Sequence, residues 1–220
     1  MLLVGSCEPF SGKSALVLGL ARHLMTKGAQ IRFGKPLATS DEAERQASGS
    51  ETERSSATGA LANGRPPEPP IGLPTLEGED ALLDADVQFV GDILGLSPSQ
   101  LLPSLHLSDP TTARTRLLAG DLDAGQGLAR LKAQLGHDGG QITLLEAAGS
   151  LSEGLLYGLS LPQLAHQLQA PVVLVHAWQD SRSVDPLLEA FGQLGSLLAG
   201  VVLNGVAPEA VAGLLEAEVP

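Results

Sequence analysis

One stretch near the amino terminus, Val4-Gly5-Ser6-Cys7-Glu8-Pro9-Phe10-Ser11-Gly12-Lys13-Ser14, does most to restrict the folds open to this chain. The apolar run Leu2-Leu3-Val4-Gly5 ends at small and turn-forming residues, and Gly12-Lys13-Ser14 opens a segment of helical periodicity. Strand, tight loop and helix in that order form a cradle for phosphate. Loop N–H groups and the positive end of the helix face the anion, Lys13 reaches the terminal phosphates, and the Ser14 hydroxyl holds a magnesium ion. The strict spacing asks for a glycine five places before Gly12. That place holds Cys7, and Gly5 lies two places too early, so the match is a variant one.

Strands and helices alternate after this start. Leu16, Leu20 and Leu24, with Val17, Ala21 and Met25 beside them, give the segment from Ala15 to Lys27 a broad apolar face suited to packing on a sheet, and Gly28 stops it. Residues 30–36 read as a second strand that leaves Lys35 at its carboxyl end, the edge where open α/β sheets bind ligands. Further helices are expected over 84–94, 109–118, 125–135, 161–168 (capped by Ser160), 183–198 and 208–218. Strands are expected at 141–146, 171–176 and 199–203, and residues 96–107 read as irregular. The strand at 141–146 ends in Glu146, where a phosphate-loop protein needs a carboxylate for magnesium, taken directly or through water. The alternation predicts one α/β domain over 1–220 with a mainly parallel sheet covered on both faces. Residues 41–80 are rich in Ser, Thr, Glu, Gly, Ala and Pro without period, and read as a disordered insertion in that domain.

Composition narrows the partners. A net charge of -12 with no Lys/Arg cluster argues against nucleic acid. No apolar run approaches a membrane span and no signal peptide is recognisable, while a single cysteine fits a reducing cytoplasm. Cys7 reads as a small residue tolerated in a loop, not a redox centre. The five histidines have no metal-ligand spacing, so no zinc site is expected.

Four stretches together carry a family likeness: Val4-Gly5 to Gly12-Lys13-Ser14, then Gly34-Lys35-Pro36-Leu37-Ala38-Thr39, Leu145-Glu146-Ala147-Ala148-Gly149-Ser150, and Val201-Val202-Leu203-Asn204-Gly205-Val206. In these the sequence resembles the dethiobiotin synthetase-like branch of P-loop NTPases. That branch includes cobyrinic acid amidotransferase nucleotide domains and the amino-terminal domain of phosphotransacetylase-like bacterial proteins, to which the likeness is nearest. The Gly-Lys-Pro element is its most specific part. The resemblance implies a three-layer sandwich with strand order 2-3-1-4-5 and a site for ATP and Mg2+.

By the same likeness Phe10, Ser11, Gly12, Lys13, Ser14, Ala15 and Asn204 would bind the nucleotide, with Asn204 facing the base. Lys13 and Lys35 would be catalytic, Lys35 and Thr39 would meet the substrate, and Ser14, Asp86 and Glu146 would hold the metal. The implied chemistry is ATP-dependent phosphoryl transfer to a carboxylate or carbamate of a small carboxylate or amine substrate, with a homodimer as the possible assembly. The alternative is a non-catalytic nucleotide-sensing domain. The sequence departs from dethiobiotin synthetases at Ala177-Trp178-Gln179-Asp180, where an Asn-His pair is usual, and at Glu146-Ala147-Ala148-Gly149, where Glu-Gly-Ala-Gly is more frequent. A partitioning or carrier ATPase is set aside because residues 5–11 contain no second lysine.

Overall fold

The computed structural model describes residues 1–37, 83–104, 118–120, 124–136, 140–209 and 211. Thr39, the 41–80 segment, nearly all of the helix expected at 109–118 and most of that at 208–218 lie outside the described residues.

Among the described residues, six strands form one sheet: β1 (Leu2–Ser6), β2 (Ile31–Gly34), β3 (Leu101–Leu102), β4 (Ile142–Glu146), β5 (Val172–Ala177) and β6 (Leu198–Asn204). Their spatial order is β3-β2-β4-β1-β5-β6, and every pairing is parallel. Leaving aside the two-residue β3, the order is the expected 2-3-1-4-5. β3 falls where an irregular segment was expected, since two residues between Pro98 and Pro103 carry no readable period. It pairs with Phe33 and Gly34 and lengthens the β2 edge.

Among the described residues, five α-helices accompany the sheet: α1 (Lys13–Thr26), α2 (Ala85–Leu94), α3 (Ala124–Leu135), α4 (Leu161–Leu168) and α5 (Val184–Leu194). Successive strand residues point to opposite faces, which divides the core in two. On one side Leu3, Leu145, Val172 and Leu174 pack with Leu131 of α3, Leu161 and Leu164 of α4, and Ala190 and Leu194 of α5. On the other, Val4, Leu144, Val175, Ile31 and Phe33 pack with Val17 and Ala21 of α1 and Val87 and Val90 of α2. The result is the three-layer α/β sandwich. The buried stripe of α1 centres on Val17 and Ala21, with Leu16, Leu20 and Leu24 half-buried beside them; the smaller residues bring the helix close to the sheet.

The helix expected at 183–198 ends four residues early. Gly195 closes it, a 3-10 turn follows over Gly195–Leu197, and β6 begins at Leu198. Among the described residues, no helix is long and apolar enough to cross a membrane.

Candidate functional site

Because all six strands run the same way, the carboxyl ends of β1, β2, β4, β5 and β6 meet at one edge, and the residues that follow them form the site. β1 delivers the loop 7–12. Gly12 stands at the N-cap of α1 with φ 97°, a conformation open to glycine at little cost. A Cβ there would lie 2.5 Å from Asn204 Nδ2, so Asn204 also excludes a side chain. The helix start carries no capping side chain and no acid in its first turn, so its positive end is uncompensated. First-turn N–H groups without a protein partner suit an anion.

Phe10 precedes this turn with φ 58° and is 98% exposed, while Ser11 is buried with its hydroxyl unpaired. Ala15 is exposed in the first turn. The Lys13 ammonium, nearly buried, donates to Ser6 Oγ at 2.9 Å and to Gly149 O at 3.4 Å. Burial lowers its pKa, opposed chiefly by Glu146 and then Glu153.

Ser14 donates a 2.8 Å hydrogen bond to Glu146 Oε1, and Glu146 Oε2 is buried without a partner. Burial raises the Glu146 carboxyl above its ordinary range, against the Ser14 hydrogen bond and the charges of Lys35 and Lys13. An unpaired carboxylate oxygen beside a hydroxyl is a donor set that fits a hard divalent cation such as Mg2+. Among the described residues, no three His, Cys, Asp or Glu gather closely enough to hold a metal by themselves. Magnesium, which keeps waters and phosphate oxygens in its shell, does not need them to.

The lysine that follows β2 is buried and paired. Lys35 Nζ lies 2.5 Å from Asp86 Oδ2 and 3.5 Å from Asp84 Oδ2. Asp84 caps α2 by accepting from Asp86 N at 2.8 Å. Asp86, expected as a metal ligand, is thus engaged by Lys35. Asn204, exposed at the end of β6, donates through Nδ2 to Ser11 O at 3.0 Å, and Trp178 N donates to its carbonyl. Since a carbonyl only accepts, the amide orientation is fixed with Oδ1 free of that contact.

Lys13, Ser14, Glu146, Lys35 and Asp86 therefore gather at one edge, with Phe10, Ser11, Gly12, Ala15 and Asn204 along the loop side. Sequence reasoning missed Ser6 and Gly149, which hold the Lys13 ammonium, and Asp84, which shares Lys35. It also missed Glu153, whose Oε2 would lie 2.6 Å from a Cβ at Gly149. A single hydroxyl, carbonyl or loop acid carries no pattern; only the Glu146-Ala147-Ala148-Gly149 stretch pointed here.

Cys7 is half-buried, its thiol 3.5 Å from Pro186 O. Burial, then Glu8 and Glu189, push its pKa up to about 11.

A family described as "AAA domain" has a model that matches residues 1–219. The chain is also 28% identical over 178 residues to the cobyric acid synthase of Caulobacter sp. (strain K31). That match covers 79% of this chain and 33% of the relative, so the chain spans about a third of that protein's length.

Proposed function

The chain belongs to this AAA domain family of nucleotide-binding P-loop proteins, and from that premise we propose that it binds magnesium-ATP and transfers the terminal phosphoryl group to a carboxylate or carbamate oxygen of a small molecule. The observation that carries the proposal is the contact between Ser14 and Glu146 beside an uncapped helix start. The triphosphate takes the N–H groups of the first turn, and Lys13 exchanges Ser6 and Gly149 for phosphate oxygens. Ser14 and Glu146 would hold magnesium, which offsets the phosphate charge.

The substrate oxygen attacks the γ-phosphorus, the bond to the β–γ bridging oxygen breaks, and ADP leaves with the electron pair. Lys13 and Lys35 meet the charge that builds on the transferring group, so positioning and charge neutralisation supply most of the rate. Asn204, held to the loop by its hydrogen bond to Ser11 O, would face the base, with Oδ1 and one N–H left for it.

Calorimetry and phosphate release with the native chain, Lys13→Ala and Lys35→Ala test this. Binding disappears in Lys13→Ala. Lys35→Ala binds but does not turn over. No heat from the native chain with magnesium and ATP overturns the proposal. A second reading, nucleotide sensing without transfer, is favoured by the hold of Asp84 and Asp86 on Lys35. On that reading no amine or carboxylate stimulates phosphate release.

A further inference from the structure

His176 has no part in the chemistry above, yet its placement asks for an explanation. It lies in β5 one residue past Val175, which is in register with Ser6, the last residue of β1. Alternation along β5 puts it on the same face as Leu174, the side where Cys7 also packs. Its ring is therefore set behind the turn where the phosphate loop leaves the sheet. His176 is 2% exposed, and both ring nitrogens are buried without a hydrogen-bond partner. Nδ1 lies 3.8 Å from Glu8 Oε1, beyond hydrogen-bond range. The Glu8 carboxylate is half-exposed and makes no hydrogen bond of its own among the described residues.

We propose that His176 is a positioning residue of the phosphate loop, taking the Glu8 carboxylate as its hydrogen-bond partner when the loop closes on a nucleotide. This rests on the nucleotide binding proposed above. The loop is tied at three points: Ser6 Oγ lies 2.7 Å from Glu8 O, the Cys7 thiol meets Pro186 O, and Ser11 O accepts from Asn204. The Glu8 carboxylate is not among them, and a shift of about 1 Å brings it into range of Nδ1.

A buried imidazole without partners destabilises the free chain. A hydrogen bond that forms only with ligand bound adds its whole worth to affinity. The two effects of removing the ring then have opposite signs, which separates positioning from a purely structural role.

The test compares the native chain with His176→Phe, His176→Asn, Glu8→Ala and the His176→Phe/Glu8→Ala pair. It uses magnesium-ATP affinity by calorimetry, melting without nucleotide, and the His176 ring nitrogen resonances with and without ATP. His176→Phe and Glu8→Ala each weaken affinity about fivefold, and the pair is no weaker than either alone. His176→Phe melts no lower than the native chain. His176→Asn, which keeps a polar nitrogen at the Nδ1 position, retains affinity. ATP shifts the Nδ1 resonance in the native chain but not in Glu8→Ala.

Native affinity in Glu8→Ala, or losses that add in the pair, overturns the inference while leaving nucleotide binding intact. Failure of the native chain to bind ATP overturns the proposed function itself. Glu8 is at the surface, so its variant decides the matter even if a change at His176 impairs folding.

Discussion

The Ser14 hydroxyl donates to Glu146 Oε1 at 2.8 Å, joining the first turn of α1 to the last residue of β4. The two are 132 positions apart in sequence. The register of the sheet brings them together, because β4 lies directly beside β1 with Val4 opposite Glu146, and the loop after β1 folds back over that edge. A hydroxyl and a carboxylate already in contact need little rearrangement to share a cation.

Removing either oxygen should therefore separate metal dependence from nucleotide binding as such. Ser14→Ala and Glu146→Gln are expected to weaken ATP binding about tenfold or more with magnesium present, and less than about threefold in chelator. Titration of nucleotide at several magnesium concentrations measures this. Equal losses with and without the metal would refute the assignment of these two residues.

Glu146 also predicts a dependence of stability on pH. Burial outweighs the Ser14 hydrogen bond and both lysines, so the folded carboxyl titrates above its ordinary value of 4.5. Such a group favours folding while protonated; its contribution is full below the unfolded value and is lost as pH rises through the folded one. Nucleotide-free Glu146→Gln should then melt above the native chain at pH 7, by about 1 kcal/mol or roughly 2–4 °C. The difference should vanish near pH 4, where the native carboxyl is protonated. A Gln variant that melts lower at pH 7 would show that the lysines stabilise the carboxylate more than burial destabilises it.

Gly149 gives a test of the loop that faces Lys13. Its carbonyl accepts from Lys13 and Ser6, while a Cβ at this position would stand 2.6 Å from Glu153 Oε2 and 3.5 Å from Pro9 Cγ. The first contact is too close and the second is ordinary. The near atom is the free end of a flexible side chain, so Gly149→Ala is expected to cost less than about 0.5 kcal/mol in denaturant unfolding, with Glu153 swinging aside. A loss above about 1 kcal/mol that Gly149→Ala/Glu153→Ala does not recover would place strain in the backbone of the loop instead.

Much of this arrangement was legible in the sequence, and what was not has a physical cause. The loop, α1, β4 and β5 each carry a local signal: a Gly-Lys-Ser turn, an apolar helix face, and short runs of Leu or Val. The strand order came from family likeness, since no local period encodes which strands are neighbours. Lys35 was placed at a strand end, but its ion pair with Asp86 spans 51 positions and depends on where α2 docks beside β2. The Asp86 carboxylate, expected as a metal ligand, meets Lys35 through that docking, which no local pattern encodes. His176 gave no sign at all, because a histidine at the end of a strand reads the same whether or not its ring finds a partner.

Cys7 lies where the strict phosphate-loop pattern has a glycine, and its surroundings decide whether that placement makes it reactive. The thiolate is the nucleophile, and burial with Glu8 and Glu189 nearby moves the thiol from 9.0 to about 11. At pH 8 that shift leaves about a hundredfold less thiolate than an ordinary cysteine has, and alkylation by iodoacetamide should slow by about the same factor. Unfolding in urea should restore the ordinary rate, since it removes the burial and both carboxylates together. Glu8→Ala should quicken the reaction only modestly, because burial is the larger cause. Folded-state alkylation at the rate of a free thiol would mean that the loop opens readily around Cys7 and that the contact with Pro186 O does not hold it.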